Sequence, residues 1–224
     1  MLERMSGPRG SYAKGIAKRE EILVAAVDVV DRVGFRRATI REIAEAVGLS
    51  QPGLLHYFGS KEELLTEVLR KRDEINRGKS GYDPEEVIAF ETLADRMVDQ
   101  AVRNTRSRGL VHLFSQLSVD AADEKHPAGE FFRARSGRLH HDLTASIDRA
   151  QREGTVTDAV SPEALARLIH SAADGIQLQF LSDPGTDMPA TMDALFALIR
   201  EASATPRPDE APYSGAPAGT TGTA

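Results

Sequence analysis

The chain has 224 residues, 41% of them hydrophobic, enough for one large core or two smaller ones, and its lack of cysteine excludes disulfides, Cys-ligated zinc, iron–sulfur clusters and cysteine nucleophiles. No run of about 18 apolar residues is present and the opening Met1–Gly15 stretch has no apolar segment of a secretory signal, so the expectation is a cytoplasmic protein that does not span a membrane. The net charge of −6 is unevenly spread: residues 1–61 hold 10 Lys/Arg against 7 Asp/Glu, and the remainder 18 against 27. A mildly basic front carries an acidic body, which permits nucleic-acid binding at one end and disfavours coating of DNA by the whole molecule.

In chain order, residues 1–15 read as a disordered arm. From Ile22 the apolar residues Ile22, Ala26, Val29, Val30 and Val33 follow helical spacing, and Gly34 closes that helix. A second helix begins at Thr39, where Thr39 and Glu42 have capping-box spacing, shows Ile40, Ile43, Ala44 and Val47 on one face, and ends at Gly48, a turn glycine expected at positive φ. Ser50 caps a short third helix that tolerates Pro52 in its first turn and ends at Phe58-Gly59. Ser60 opens a fourth, with Glu63 completing a second capping box, that runs through Leu64, Leu65, Val68, Leu69 and Ile75.

Asn76–Asp83 is a Gly/Ser-containing break and the expected domain boundary. Asp83-Pro84-Glu85-Glu86 then reads as a helix start, with a cap, a proline at the first position and acids suited to the helix dipole; Val87, Phe90, Ala94, Met97 and Ala101 follow. Further helices carry Leu110, Leu113, Phe114 and Leu117; Phe132, Leu139, Leu143 and Ile147, stopping near Gly154; Leu165 to Phe180 after Ser161-Pro162; and Met188 to Ile199. The expected fold is all-α, about nine helices, with an N-terminal domain over 16–76, a second helical domain over 83–202 and a disordered Pro/Ala/Gly/Thr-rich tail over 203–224.

Function is concentrated in Thr39–Lys61, TIREIAEAVGLSQPGLLHYFGSK. Two short helices joined at Gly48-Leu49-Ser50 have the helix-turn-helix layout, over about 39–58, whose second helix enters the major groove by its N-terminus. That helix offers the core chiefly Leu54 and Phe58, leaving Gln51, Gly53, His56 and Tyr57 outside. Lys61 sits at a helix N-terminus, where the dipole disfavours a cation but the pair makes an anion site. Thr39 begins another helix and can offer a hydroxyl and backbone N–H groups to phosphate. The competing reading, an ordinary helical hairpin in a bundle, does not account for so many elements in register; Tyr57 stands between core packing and phosphate contact. The basic arm residues Arg4, Arg9, Lys14, Lys18 and Arg19 read as a solubilising tail, with DNA contact as the alternative.

At these residues the chain resembles the TetR family of bacterial regulators: Gly34-Phe35, Thr39, Ile43-Ala44, Val47-Gly48, Ser50, Gly53, Leu54, Tyr57-Phe58 and Ser60-Lys61 carry the likeness over about 16–76. The resemblance implies that helices 1–4 bind double-stranded operator DNA through Thr39, Ser50, Gln51, Pro52, Gly53, His56, Tyr57 and Lys61. It implies that helices 5–7 surround a small-molecule cavity and that helices 8 and 9 pair with a second copy as a four-helix bundle. It also implies repression relieved by an inducer. Leu55 departs from the family, which commonly has a DNA-touching tyrosine there, so one phosphate contact is expected to be lost or taken up by His56 or Tyr57.

Residues that interrupt or border apolar faces of the central helices, His112, Gln116, Phe131, His140 and Gln177, are the candidate cavity residues. The candidate dimer interface is Leu165, Ala172, Ile176, Met192, Leu195, Phe196 and Ile199, where small residues such as Ala172, Ala173 and Gly175 would allow close helix approach. No metal, cofactor or catalytic set is expected: the histidines form no compact ligand pattern, and the adjacent His140 and His141 point about 100° apart on a helix. A helical hydrolase would need a convergent polar constellation, and an adaptor would enclose no cavity.

Overall fold

The computed structural model describes residues 8–80 and 86–204. Among them are nine helices and no strand: α1 (Pro8–Val33), α2 (Ile40–Ala46), α3 (Gln51–Phe58), α4 (Lys61–Ser80), α5 (Phe90–Arg106), α6 (Arg108–Asp120), α7 (Ala128–Arg152), α8 (Pro162–Ser182) and α9 (Met188–Ala204).

Two apolar clusters organise them. In the first, one stripe of α1 (Ile22, Ala26, Val29, Val30) meets Ile43 and Ala44 of α2, Leu54 and Phe58 of α3, and Leu64, Val68 and Leu69 of α4. The cluster does not stop at the fourth helix: Leu110, Leu113, Phe114 and Leu117 of α6 and Phe131 of α7 belong to it. The second joins Phe90 and Leu93 of α5, Leu143 and Ile147 of α7, Ile169 and Phe180 of α8, and Met192 and Phe196 of α9. Burying side chains of this size stabilises by about 1.5–3 kcal/mol each, which is what commits helices of modest propensity to one arrangement.

The contact between α6 and α1 depends on one glycine. A Cβ placed on Gly109 would lie 2.1 Å from the Val30 carbonyl oxygen and 2.9 Å from the Gly34 Cα. Only a residue without a side chain lets the start of α6 reach the end of α1, and Gly34, at φ 83°, turns the chain away there.

Several boundaries differ from those read in the sequence. α1 starts at Pro8 rather than after residue 15, which makes 8–15 helical; residues 1–7 lie outside those described. α4 continues through Gly78 to Ser80, because extending a helix already nucleated by its buried stripe outweighs the penalty of about 1 kcal/mol for one glycine. α5 starts at Phe90, and the helix expected from Asp83 is absent at 86–89; Asp83, Pro84 and Glu85 lie outside the described residues. Val87 is exposed and its carbonyl accepts from Arg149 at 3.3 Å, so this segment is tied to α7 instead of forming a first turn. The tail over 203–224 lies outside the described residues apart from the last turn of α9.

Candidate nucleic-acid interface and cavity

Reciprocal caps build the N-terminal site. The Thr39 Oγ1 accepts from the Glu42 backbone N–H at 3.2 Å, and the Glu42 carboxylate accepts from the Thr39 backbone N–H at 2.9 Å. Gly48, at φ 67°, turns the chain into α3, where the Ser50 Oγ accepts from the Gly53 N–H at 3.2 Å. A Cβ on Gly53 would sit 3.1 Å from that same Ser50 Oγ, so glycine keeps the cap uncrowded. Leu54 and Phe58 anchor α3 to the core, and Arg19 of α1 lies over the Phe58 ring at 4.7 Å. Gln51, Pro52 and His56 are exposed, and Leu55 and Tyr57 are half-buried. Gly59 at φ 69° then leads to Ser60, whose Oγ accepts from the Glu63 N–H at 3.0 Å and leaves Lys61 exposed in the first turn of α4.

The structure therefore brings Thr39, Ser50, Gln51, Pro52, Gly53, His56, Tyr57 and Lys61 onto the turns and open side of one small helical unit. It adds residues that the sequence reading placed in a tail. Tyr12, Lys14, Lys18 and Arg19 of α1 line a surface cleft together with His56 and Tyr57. Tyr57 packs against the first cluster while bordering that cleft, so both of its readings describe part of its surface.

Behind this unit, a cavity of about 240 Å³ lies between α4, α5, α7, α8 and α9. Apolar walls come from Ile88, Leu93, Met97, Leu139, Ile176, Met188 and Met192; Arg72, Arg77, Arg96, Arg103 and Arg135 bring positive charge, and Asp142 and Asp174 negative. Asp73 of α4 accepts from Arg72 at 2.7 Å through one oxygen and from Arg135 of α7 at 3.0 Å through the other. Burial would raise the Asp73 carboxyl, but the two guanidiniums outweigh it and hold it below the usual carboxylate range. Phe114 of α6 carries both cations on its ring, Arg72 at 5.1 Å and Arg135 at 4.7 Å.

Of the five candidate cavity residues, Gln177 alone lines it. His112 instead stacks edge-on against Phe35 at 5.3 Å, at the α1–α6 contact. Gln116 is exposed and donates to Asp120 at 3.0 Å. Phe131 is buried in the first cluster beneath Arg70. His140 lies behind the wall, its ring 5.5 Å from that of His170, which does line it. The apolar side of α6 is spent on the first cluster, which leaves His112 and Gln116 away from the cavity. Missed altogether were Arg72 and Arg135, which had a signal: each continues an apolar stripe, Leu65-Val68-Leu69 and Phe131-Phe132-Leu139, where a charge needs a buried partner.

The candidate dimer residues are also largely inside. Leu165, Ile176, Met192, Phe196 and Ile199 are buried in the protomer's own second cluster, and Leu195 packs against it. The exposed stripe consists of Leu168, Ser171 and Leu178 on α8 and Ala194, Ala197 and Leu198 on α9, with Ala172 and Gly175 half-buried at its margin. Both helices have two apolar stripes, and periodicity cannot say which one turns inward. Among the described residues no group of three or more metal-ligating side chains gathers, and no helix is long and apolar enough to cross a membrane.

Residues 22–68 match the family of bacterial regulatory proteins described as tetR. Over 55 residues the chain is 46% identical to the HTH-type transcriptional regulator RutR of Escherichia coli, a match covering 25% of this chain and 26% of RutR. Residues 22–68 are thus similar to the DNA-binding unit of the TetR family. The chain's sequence likeness to RutR spans about a quarter of that protein's length. Solved structures extend the fold over the remainder: a TetR transcription regulator from Haloarcula marismortui has a TM-score of 0.68 at 22% identity, covering 83% of this chain and 97% of that one. The regulator FadR from Bacillus subtilis, solved in complex with stearoyl-CoA, has a TM-score of 0.63 at 16% identity, covering 82% and 98%.

Proposed function

We propose that the chain is a sequence-specific, DNA-binding transcription regulator, a dimeric repressor released from its operator by a small molecule. The observation that carries this reading is the construction of α3: capped at its N-terminus, anchored by only Leu54 and Phe58, and open along Gln51, Pro52 and His56. A buried-bundle helix would not leave its first turn bare. In this reading Gln51 reads a base edge, Thr39 and Lys61 hold phosphates on either side, and Ser50, Pro52, Gly53, His56 and Tyr57 complete the contact. The half-buried Leu55 offers no hydroxyl, and His56 or Tyr57 takes up that phosphate. Lys14 and Lys18, beside the same cleft, add backbone contacts.

One short helix reads few base pairs, so a second copy is required, docked through the exposed α8–α9 stripe. The arm and tail outside the described residues are proposed as disordered, the 16–76 unit as the reading head, and 83–202 as the regulatory and dimerisation unit. The cavity is the inducer site; FadR, with the same fold, was solved with a ligand, which supports an enclosed small molecule here. The protein acts in the cytoplasm, on the nucleoid, and its role is regulatory rather than enzymatic. A reporter placed behind the operator returned by random-library selection tests this: the intact chain should lower expression, and Lys61→Ala should restore it. Unaltered or raised expression with the intact chain would remove the repressor assignment.

A further inference from the structure

Resting on the reading of the cavity as the inducer site, we propose that it takes an organic acid, an anionic head on an apolar body, whose head competes with Asp73 for Arg72 and Arg135. Charge is the first argument. Arg72, Arg96, Arg103 and Arg135 line the cavity with Asp142 and Asp174, and Asp73 adds a third carboxylate beside Arg72 and Arg135, inside a portion of the chain (62–224) where acids outnumber bases by 27 to 18. A cationic ligand would be repelled, and a neutral one would desolvate the guanidiniums without compensating them. An acid adds counter-charge to the shared Asp73 carboxylate and matches the forked guanidinium donors.

Incomplete pairing is the second. Asp73 is one carboxylate shared by two guanidiniums, so the trio of buried Arg72 and half-buried Asp73 and Arg135 retains a positive charge. Arg103 of α5, also in the lining, donates to Gln100 at 3.2 Å, while its buried Nε–H has no acceptor, a deficit that a ligand oxygen can relieve. The lining also includes Met97, Met188 and Met192, flexible side chains suited to an apolar body of variable shape.

The arrangement also gives the acid a route to the DNA side. Asp73 lies on α4, the helix that begins at Lys61, and Arg135 lies on α7. Their 3.0 Å ion pair ties the reading head's last helix to the body. An incoming carboxylate that takes Arg135 removes this one polar tie between α4 and α7, leaving their apolar contact, and each half of the dimer loses the same tie.

Calorimetric titration of the full chain with octanoate, octanol and octylamine, three probes sharing one apolar body, tests the proposal. Octanoate should bind at least tenfold more tightly than the other two. Arg135→Gln, at a partly exposed position whose fold is checked by its melting curve, should erase that preference by weakening octanoate binding. Asp73→Asn should tighten octanoate binding severalfold, because the competing carboxylate is gone, whereas a purely structural Asp73 would give weaker or equal binding. Octanol or octylamine binding as tightly as octanoate, or no saturable octanoate binding, overturns the acid assignment. Saturating octanoate that leaves operator affinity unchanged overturns the Asp73 competition. Failure of the regulator reading would show separately, as absence of operator binding by the ligand-free protein.

Discussion

Single side chains fix the proposed DNA contact. Lys61 stands exposed where the N-terminal dipole of α4 already attracts an anion. Lys61→Ala should weaken binding by a similar factor on every operator variant and flatten the slope of log K against log salt by about 0.9 per lost contact, twice that in a symmetric dimer. An unchanged slope places Lys61 off the DNA. Gln51→Ala should instead relax preference at one base position per half-site, by about 1–3 kcal/mol, read from competition between operators differing at that position. At this scale much was legible: Thr39, Ser50, Gly48 and Lys61 are identified by local chemistry, because caps and positive-φ turns depend on neighbours within a few residues. His112 and Phe131 were not, since their surroundings are set by helices distant in sequence.

At the scale of elements, the joint between α1 and α6 is the feature least visible in the sequence, because a glycine inside a helix reads as neutral until its neighbour is known. Gly109→Ala should destabilise the fold by about 1–3 kcal/mol, since the added methyl meets the Val30 carbonyl at 2.1 Å and forces α6 off α1. Chemical denaturation would measure it, and a loss under 0.5 kcal/mol, taking about that as ordinary surface tolerance, would show that the joint yields easily. The same joint carries a pH dependence. Burial chiefly, then the Arg36 and Arg108 charges, pull the His112 pKa below its ordinary value of 6.5. The unfolded chain therefore binds the proton more readily, and stability should fall as pH drops below about 6.5 until His112 titrates in the folded state. His112→Gln should shallow that decline in melting temperature; His170, also lowered chiefly by burial, contributes in the same direction. An identical decline in the variant would remove His112 as a contributor.

For the whole molecule, helix number and order were legible, because nine amphipathic segments with caps and breaks leave few alternatives. Which stripe of α8 and α9 faces out was not, since Phe196 and Leu198 are equally apolar and only packing separates them, the first fully buried and the second 64% exposed. That difference separates folding from assembly. Leu168→Glu with Leu198→Glu should give a folded monomer that has lost operator binding, whereas a charge at Phe196 should unfold the protomer. Sedimentation with circular dichroism distinguishes the two, and a double variant that remains dimeric would place the interface elsewhere.

The central claim is that two copies of α3 read a defined DNA sequence. Selection of bound duplexes from a random library by the full-length protein tests it most directly. The expected result is an enriched motif of two inverted half-sites, centred about one helical turn or a multiple of it apart, whose specificity narrows at one position per half-site when Gln51→Ala is used instead. Recovery of no motif, or of DNA bound irrespective of sequence, would contradict the account.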